Sequence, residues 1–76
     1  MKIEVLGTGC KKCIELEMIV KQAIAKSGKF VQLKKVDDIM KIMEYQVVST
    51  PGLVIDDRVV STGKVLSVHE VLDLIG

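Results

Sequence analysis

The pattern of apolar residues changes from the strand type to the helix type at Gly7-Thr8-Gly9. Charged and apolar residues largely alternate from Lys2 to Leu6, which predicts a strand that ends at this flexible turn. From Lys11 to Ser27 apolar residues recur at intervals of three and four, which predicts a helix, and Gly28 follows as a suitable stop. A strand that passes straight into a long helix is typical of the α/β class.

The middle of the chain continues this alternation of strand and helix. Phe30 to Val36 predicts a half-exposed edge strand. The pair Asp37-Asp38 is a good helix start, and we expect Ile39, Ile42 and Met43 to form the buried stripe of a short helix that ends near Tyr45.

The C-terminal part predicts a hairpin and a last helix. Gly52–Ile55 and Arg58–Ser61 are two strands joined by Asp56-Asp57, and Asp57 takes a turn position that favours glycine. Ser67 and Glu70 have the spacing of a capping box, which opens a helix. Its inward residues are Val68, Val71, Leu72 and Ile75. The predicted order is strand, helix, strand, helix, strand, strand, helix.

Length and composition limit the possible functions. A chain of 76 residues forms one domain over residues 1–76, and its 49% apolar content can fill one core. The net charge of +1 gives no field that would gather nucleic acid or anionic lipid. No apolar run approaches the roughly 18 residues of a membrane span, and Met1–Gly7 is too short and charged for a signal peptide. We therefore expect a cytoplasmic location, where paired cysteines are more often catalytic or metal-binding than structural.

Cys10 and Cys13 lie where the glycine turn passes into the first predicted helix. The first N–H groups of a helix have no partner within it, and its dipole is positive at this end. We therefore expect the Cys10 thiolate to be stabilised and its pKa to lie below that of free cysteine, which makes Cys10 the attacking thiol. Cys13 can reach the Cys10 sulfur and displace a partner from a mixed disulfide, which makes it the resolving thiol. Lys11 and Lys12 add positive charge near the thiolate, and we expect them to favour the reduced state modestly.

Two other interpretations of the cysteine pair remain open. A purely structural disulfide between positions 10 and 13 would close so small a loop that it would remove little entropy from the unfolded chain. A metal could bind the two thiolates, but a closed zinc site needs four ligands, there is no second cysteine pair, and His69 lies far along the chain. His69 itself is expected to be a solvated histidine of the last helix.

The cysteine motif, the order of elements and Ser49-Thr50-Pro51 before the third strand together resemble the thioredoxin superfamily, in particular its small archaeal and bacterial thioredoxin-like proteins. The resemblance covers the whole chain, and its most specific stretch runs from Val48 to Ile55. It implies that Pro51 is cis, faces the cysteines and keeps other ligands off the sulfurs. It also implies that the Thr50 backbone pairs with an extended substrate segment.

This sequence also departs from the familiar members of that superfamily. The two residues between the cysteines are Lys-Lys, where thioredoxins have Gly-Pro and glutaredoxins Pro-Tyr, and no tryptophan precedes Cys10. Preferences for a reductase or for glutathione therefore do not transfer. Glu4 is the nearest candidate for a buried carboxylate behind the site, but we expect it to be solvated.

Taken together, these features predict a thioredoxin-like α/β fold: a four-stranded mixed sheet in the order two-one-three-four, with helices on both faces. Two parallel strands joined through a helix should make a right-handed crossover. The predicted function is thiol–disulfide exchange with protein or small-molecule disulfides through Cys10 and Cys13. Thr50 and Pro51 would position the partner, beside Lys11 and Lys12. We expect a separate reductase, a monomeric protein and no metal or organic cofactor.

A heavy-metal-binding domain is the alternative from another class. Such domains also place Cys-x-x-Cys after a first strand, but they run strand, helix, strand, strand, helix, strand. They usually have methionine two residues before the first cysteine, where this chain has Thr8, and they have no role for Thr50-Pro51.

A second, narrower apolar stripe on the first helix adjoins the cysteines and consists of Ile14, Met18 and Ala25. It is a candidate docking surface for protein partners, and incidental exposure or additional packing is the competing interpretation.

Overall fold

The computed structural model describes residues 1–76 and contains four strands and three helices. In chain order they are β1 (Lys2–Leu6), α1 (Lys11–Ser27), β2 (Gln32–Val36), α2 (Ile39–Glu44), β3 (Gly52–Ile55), β4 (Arg58–Thr62) and α3 (Val68–Ile75). This is the predicted order. No helix has the length and apolar character that crossing a membrane requires.

The four strands form one mixed sheet in the order β2-β1-β3-β4, as the sequence predicted. β1 runs parallel to β2 and antiparallel to β3, and β3 runs antiparallel to β4. β2 is an edge strand, but it begins at Gln32 and not at Phe30. Gln32 lies opposite Lys2, the first residue of β1, so Phe30 has no strand beside it and is almost fully exposed.

The main core lies between one face of the sheet and the helices α1 and α3. Apolar residues at helical spacing lie on one side of α1 and on one side of α3. These sides pack against every second residue of β1 and β3, since alternate residues of a strand point to the same face of the sheet. The buried members of this cluster are Ile3, Val5, Leu16, Val20, Ala23, Leu53, Ile55, Leu66, Val71 and Ile75. The predicted inward face of α3 is therefore confirmed, with Val71 and Ile75 buried and Val68 and Leu72 partly buried against the cluster.

The opposite face of the sheet is covered by α2, so that helices lie on both faces. The second cluster consists of Leu6, Val36, Ile42, Val47 and Val54, with Tyr45 packed against it. The prediction of a three-residue buried stripe on α2 is wrong, because Ile39 is 59% exposed and Met43 is 63% exposed. A helix of six residues reaches the sheet through Ile42 alone, and the structure has no further layer to cover its other apolar side chains.

Local signals end the elements where the sequence predicted. Gly28 stops α1 in the left-handed conformation with φ of 68°, and Ser67 and Glu70 form the complete capping box of α3. The hairpin between β3 and β4 turns through Asp56 and Asp57, with φ of 49° and 67°. Two successive left-handed residues are the signature of a type I′ turn, so Asp57 does occupy a position that favours glycine.

Candidate active site

Cys10 and Cys13 form a disulfide at the N-terminus of α1, with their Cα atoms 5.1 Å apart. Cys10 is the N-cap residue with extended backbone, and it is exposed. Cys13 lies one turn into the helix and is only 3% exposed. The pair is therefore asymmetric: an external partner has access to the sulfur of Cys10, while Cys13 is packed into the protein.

The helix end provides hydrogen-bond donors to the exposed sulfur. The backbone N–H of Cys13 donates to Cys10 Sγ, with a nitrogen–sulfur distance of 3.3 Å. The Cys10 carbonyl accepts the first helical hydrogen bond from Ile14, at 3.0 Å. Cys10 thus caps the helix with its side chain, as serine or aspartate does elsewhere, and its sulfur lies at the positive end of the helix dipole.

Gly7 forms the floor against which the inner cysteine packs. A Cβ atom on Gly7 would lie 2.9 Å from Cys13 Cβ and closer still to Cys13 Sγ. The Gly7 backbone cannot readily withdraw, because its N–H donates to the Val36 carbonyl at 2.9 Å. The sequence indicates Gly7 only as part of a turn. Its position three residues before Cys10 was the available signal, but the close approach depends on how α1 folds back onto the sheet.

The strand register brings the Thr50-Pro51 loop to the same end of the sheet. Gly52 lies opposite Leu6, so Pro51 lies beside the chain as it leaves β1 at Gly7. The Thr50-Pro51 peptide bond is cis, as the family resemblance implied, and the Pro51 carbonyl accepts a hydrogen bond from Gly63 at 2.8 Å. Pro51 is buried and Thr50 is half-buried. The ends of β1, β3 and β4 therefore meet around the cysteines.

Lys11 and Lys12 are the first two residues of α1, and both are exposed. Neither side chain forms an ion pair, and the first turn of α1 contains no acidic residue. Ile14 and Met18 of the second apolar stripe are also about half exposed, at 47% and 56%. Their use as a docking surface stays a prediction.

Glu4 is buried, and the expectation that it is solvated is wrong. It is 5% exposed, on the sheet face covered by α2. Its carboxylate accepts a hydrogen bond from the Tyr45 hydroxyl at 2.7 Å and pairs with Lys2 Nζ at 3.1 Å. Burial raises the pKa of Glu4, but the hydrogen bonds from Tyr45 and Lys2 together with nearby lysine charges outweigh it and leave that pKa below its ordinary value. The same contacts raise the pKa of Lys2 and of Tyr45, in each case chiefly through the hydrogen bond to Glu4.

Donor groups for a metal do not converge on the cysteines. Nowhere in residues 1–76 do three or more histidine, cysteine, aspartate or glutamate side chains come together as a metal-ligand set. His69 is exposed, as predicted, and lies beside Asp73 on α3 at 3.6 Å. The order of elements also differs, because α2 separates β2 from β3, where the heavy-metal-binding alternative has two successive strands. That alternative is not favoured.

A four-stranded mixed sheet of this order, a Cys-x-x-Cys disulfide capping the first helix and a cis-proline at the adjacent strand end define a thioredoxin-like redox protein. Comparison with known proteins agrees. Residues 1–76 match the thioredoxin domain family, and the chain belongs to that family.

Two archaeal relatives support this assignment. The chain is 41% identical to a thioredoxin of Methanocaldococcus jannaschii over 69 residues, which cover 91% of this chain and 79% of the relative. It is 32% identical to a thioredoxin of Methanothermobacter thermautotrophicus over 71 residues, which cover 93% of this chain and 92% of the relative. The protein is a thiol–disulfide oxidoreductase, as the sequence predicted.

Proposed function

We propose that Cys10 attacks the substrate disulfide and that Cys13 resolves the resulting intermediate. In the reducing direction, the Cys10 thiolate bonds to one substrate sulfur, and the other substrate sulfur leaves as a thiolate that takes up a proton. The Cys13 thiolate then attacks Cys10 Sγ, forms the Cys10–Cys13 disulfide and releases the second substrate thiol. Two electrons pass from the dithiol to the substrate, and the reverse sequence oxidises a partner dithiol.

The difference in exposure between the two cysteines supports this division of roles. An attacking thiolate must approach along the axis of a partner's disulfide, and only the Cys10 sulfur is open to such an approach. The Cys13 N–H and the helix end stabilise negative charge on Cys10 Sγ, so we expect the pKa of the free Cys10 thiol to lie below its usual range. This single observation, an exposed sulfur capping a helix N-terminus, carries the proposal.

The loop that contains Thr50 and Pro51 is proposed to position the partner. Pro51 has no N–H and is buried just before the start of β3, so it presents no donor to the sulfurs. The Thr50 backbone precedes it at the rim, where an extended segment can pair with it.

The proposed partners are protein disulfides and a separate reductase that returns the dithiol to its reduced form. The two cysteines hold both electrons, so we propose that the reaction uses no metal or organic cofactor. We also propose that the protein acts as a monomer in the cytoplasm, where the reducing environment favours the dithiol. Analytical ultracentrifugation of the oxidised and reduced forms tests the monomer directly.

The test of the roles compares two single-cysteine variants with a protein that contains an accessible disulfide. We expect Cys13→Ser to accumulate a covalent mixed disulfide through Cys10, because no internal thiol remains to release it. We expect Cys10→Ser to accumulate almost none, because Cys13 is buried. Iodoacetamide should alkylate Cys10 in the Cys13→Ser variant at a pH where free cysteine is largely protonated. Equal trapping by the two variants, or ionisation of Cys10 like that of free cysteine, would overturn the proposal.

A further inference from the structure

No acidic residue forms an ion pair with the two lysines beside the exposed sulfur. Lys11 and Lys12 directly follow Cys10, are exposed and form no ion pair. Glu15 lies four residues after Lys11, the spacing at which helical ion pairs form, but no such pair is present. Helical side chains lean toward the N-terminus of their helix, so both lysines lean toward the end at which Cys10 lies.

Other charged residues at this end of the molecule line grooves that also contain residues of opposite charge. Lys64, which follows β4, lines a groove together with Glu70 and Asp73. Asp37 and Asp38, which follow β2, line a cleft that also contains lysines 34, 35 and 41. The loop from Gln46 to Pro51 carries no charge at all. Lys11 and Lys12, which follow Cys10 directly and form no ion pair, are therefore the positive charges that a substrate meets first as it approaches Cys10.

We infer that Lys11 and Lys12 make the protein select disulfides whose flanking residues are acidic. The inference rests on the proposed attack by Cys10, because a disulfide at that sulfur places its neighbouring residues beside the start of α1. Two lysines are too few to hold a nucleic acid or a membrane surface, which need several basic residues at once. A short acidic segment of a protein substrate matches them in both size and sign.

Coulomb's law sets the size of the effect. One lysine–carboxylate pair about 6 Å apart in water raises the rate of productive encounter, or the population of the bound complex, by about threefold. Two such pairs give about tenfold, and because both partners are exposed, salt must reduce the effect. Like-charged flanking residues must be rejected by a similar factor, so discrimination between acidic and basic substrates exceeds either factor alone.

The experiment measures single-turnover rates of the pre-reduced protein with three peptides. Each peptide contains one internal disulfide flanked by two glutamates, two glutamines or two lysines in an otherwise identical sequence. The quantities compared are the ratios of second-order rate constants, since a ratio cancels any general change in Cys10 reactivity. Bis(2-hydroxyethyl) disulfide, which is small and uncharged, reports on the chemistry alone.

Two double variants separate local charge from net charge. Lys11→Gln/Lys12→Gln removes two positive charges beside Cys10. Lys26→Gln/Arg58→Gln removes the same charge from exposed positions on the last turn of α1 and at the start of β4, at the opposite end of the sheet.

We expect the wild type to prefer the acidic over the neutral peptide by about threefold to tenfold at low salt, and to lose most of this preference in about 0.5 M salt. The Lys11/Lys12 variant should bring the ratio close to one, and the control variant should keep it. Equal rates with all three peptides, or a preference that survives in the Lys11/Lys12 variant, would refute the inference while the exchange function stands. Failure to reduce any peptide and the hydroxyethyl disulfide would instead refute the proposed function.

Discussion

Replacing Gly7 by alanine tests whether the inner cysteine is held by contact with the end of β1. The new methyl group would lie 2.9 Å from Cys13 Cβ and closer still to its sulfur. Neither Cys13 nor Gly7 can move freely to relieve this contact. Cys13 belongs to a helix whose buried face packs in the main core, and Gly7 is hydrogen-bonded to Val36.

The expected cost follows from this overlap. Adding one methyl group to a well-packed site typically destabilises a protein by about 1–3 kcal/mol. In a domain of this size each kcal/mol lowers the melting temperature by roughly 4–8 °C. Because most of the overlap is with the sulfur, Cys13→Ala should relieve part of it, so we expect a coupling of about 0.5–2 kcal/mol between the two substitutions.

The assay is urea unfolding under reducing conditions, followed by circular dichroism, for the wild type, Gly7→Ala, Cys13→Ala and the double variant. Gly9→Ala is the matched control. A Cβ on Gly9 meets nothing within 4 Å, but φ is +88° there, so its cost of about 1 kcal/mol comes from the backbone and must not change when Cys13 is replaced. If Gly7→Ala costs less than about 0.5 kcal/mol, or costs the same in both Cys13 backgrounds, the packing argument is wrong.

Three further predictions concern charge and helix capping. The pKa of Glu4 is lower in the folded than in the unfolded protein. The contribution of Glu4 to stability is therefore complete above its pKa in the unfolded protein and is lost as the pH falls through its pKa in the folded protein. Glu4→Gln should flatten the acid side of a stability–pH profile measured by urea unfolding. Ser67→Ala breaks the capping box and should cost about 1 kcal/mol in thermal unfolding. Lys11→Gln/Lys12→Gln should lower the reduction potential in a glutathione redox titration by roughly 20 mV or less, since exposed charges contribute under about 1 kcal/mol. An unchanged potential would show that the lysines do not favour the reduced state.

The features that could be predicted from the sequence are those whose causes lie close together in the chain. The capping box joins residues three apart, the hairpin turn spans two residues, and the stop at Gly28 depends on a single left-handed residue. The strand and helix patterns likewise depend on spacings of two to four residues. The sheet order then followed from the family resemblance together with these elements, and the strand order in the structure agrees with it.

The burial of Glu4 could not be predicted in this way. In the sequence Glu4 alternates with apolar neighbours in a strand, which is the ordinary pattern of a face open to water. It is buried because α2 covers that face, and its charge is supported by a tyrosine 41 residues further along the chain. No spacing within β1 indicates either fact.

In α2 the error has the opposite direction, because residues that were expected to be buried are exposed. Ile39, Ile42 and Met43 have a valid helical spacing, and the spacing correctly predicts that they share one side of a helix. How many of them are buried depends on how much surface the neighbouring sheet offers, and here it offers enough for Ile42 only. Periodicity indicates which residues share one side of a helix, but it does not indicate whether another element covers that side.

The active site depends both on local helix geometry and on the long-range register of the sheet. The part that depends on helix geometry could be predicted from the sequence. The asymmetry of the cysteine pair is a local consequence of helix geometry: the N-cap residue stands outside the first turn, and the residue three positions later turns inward with Leu16 and Val20. The neighbours of the pair come from the sheet register, which places Leu6 opposite Gly52 and therefore Gly7 beside Pro51. A slip of β3 by one residue would turn Leu53 and Val54 to the wrong faces and expose the core, so the hydrophobic pattern that fixes the register also holds the cis-proline next to the dithiol. Packing of the core and placement of the redox site are thus one constraint in this small domain.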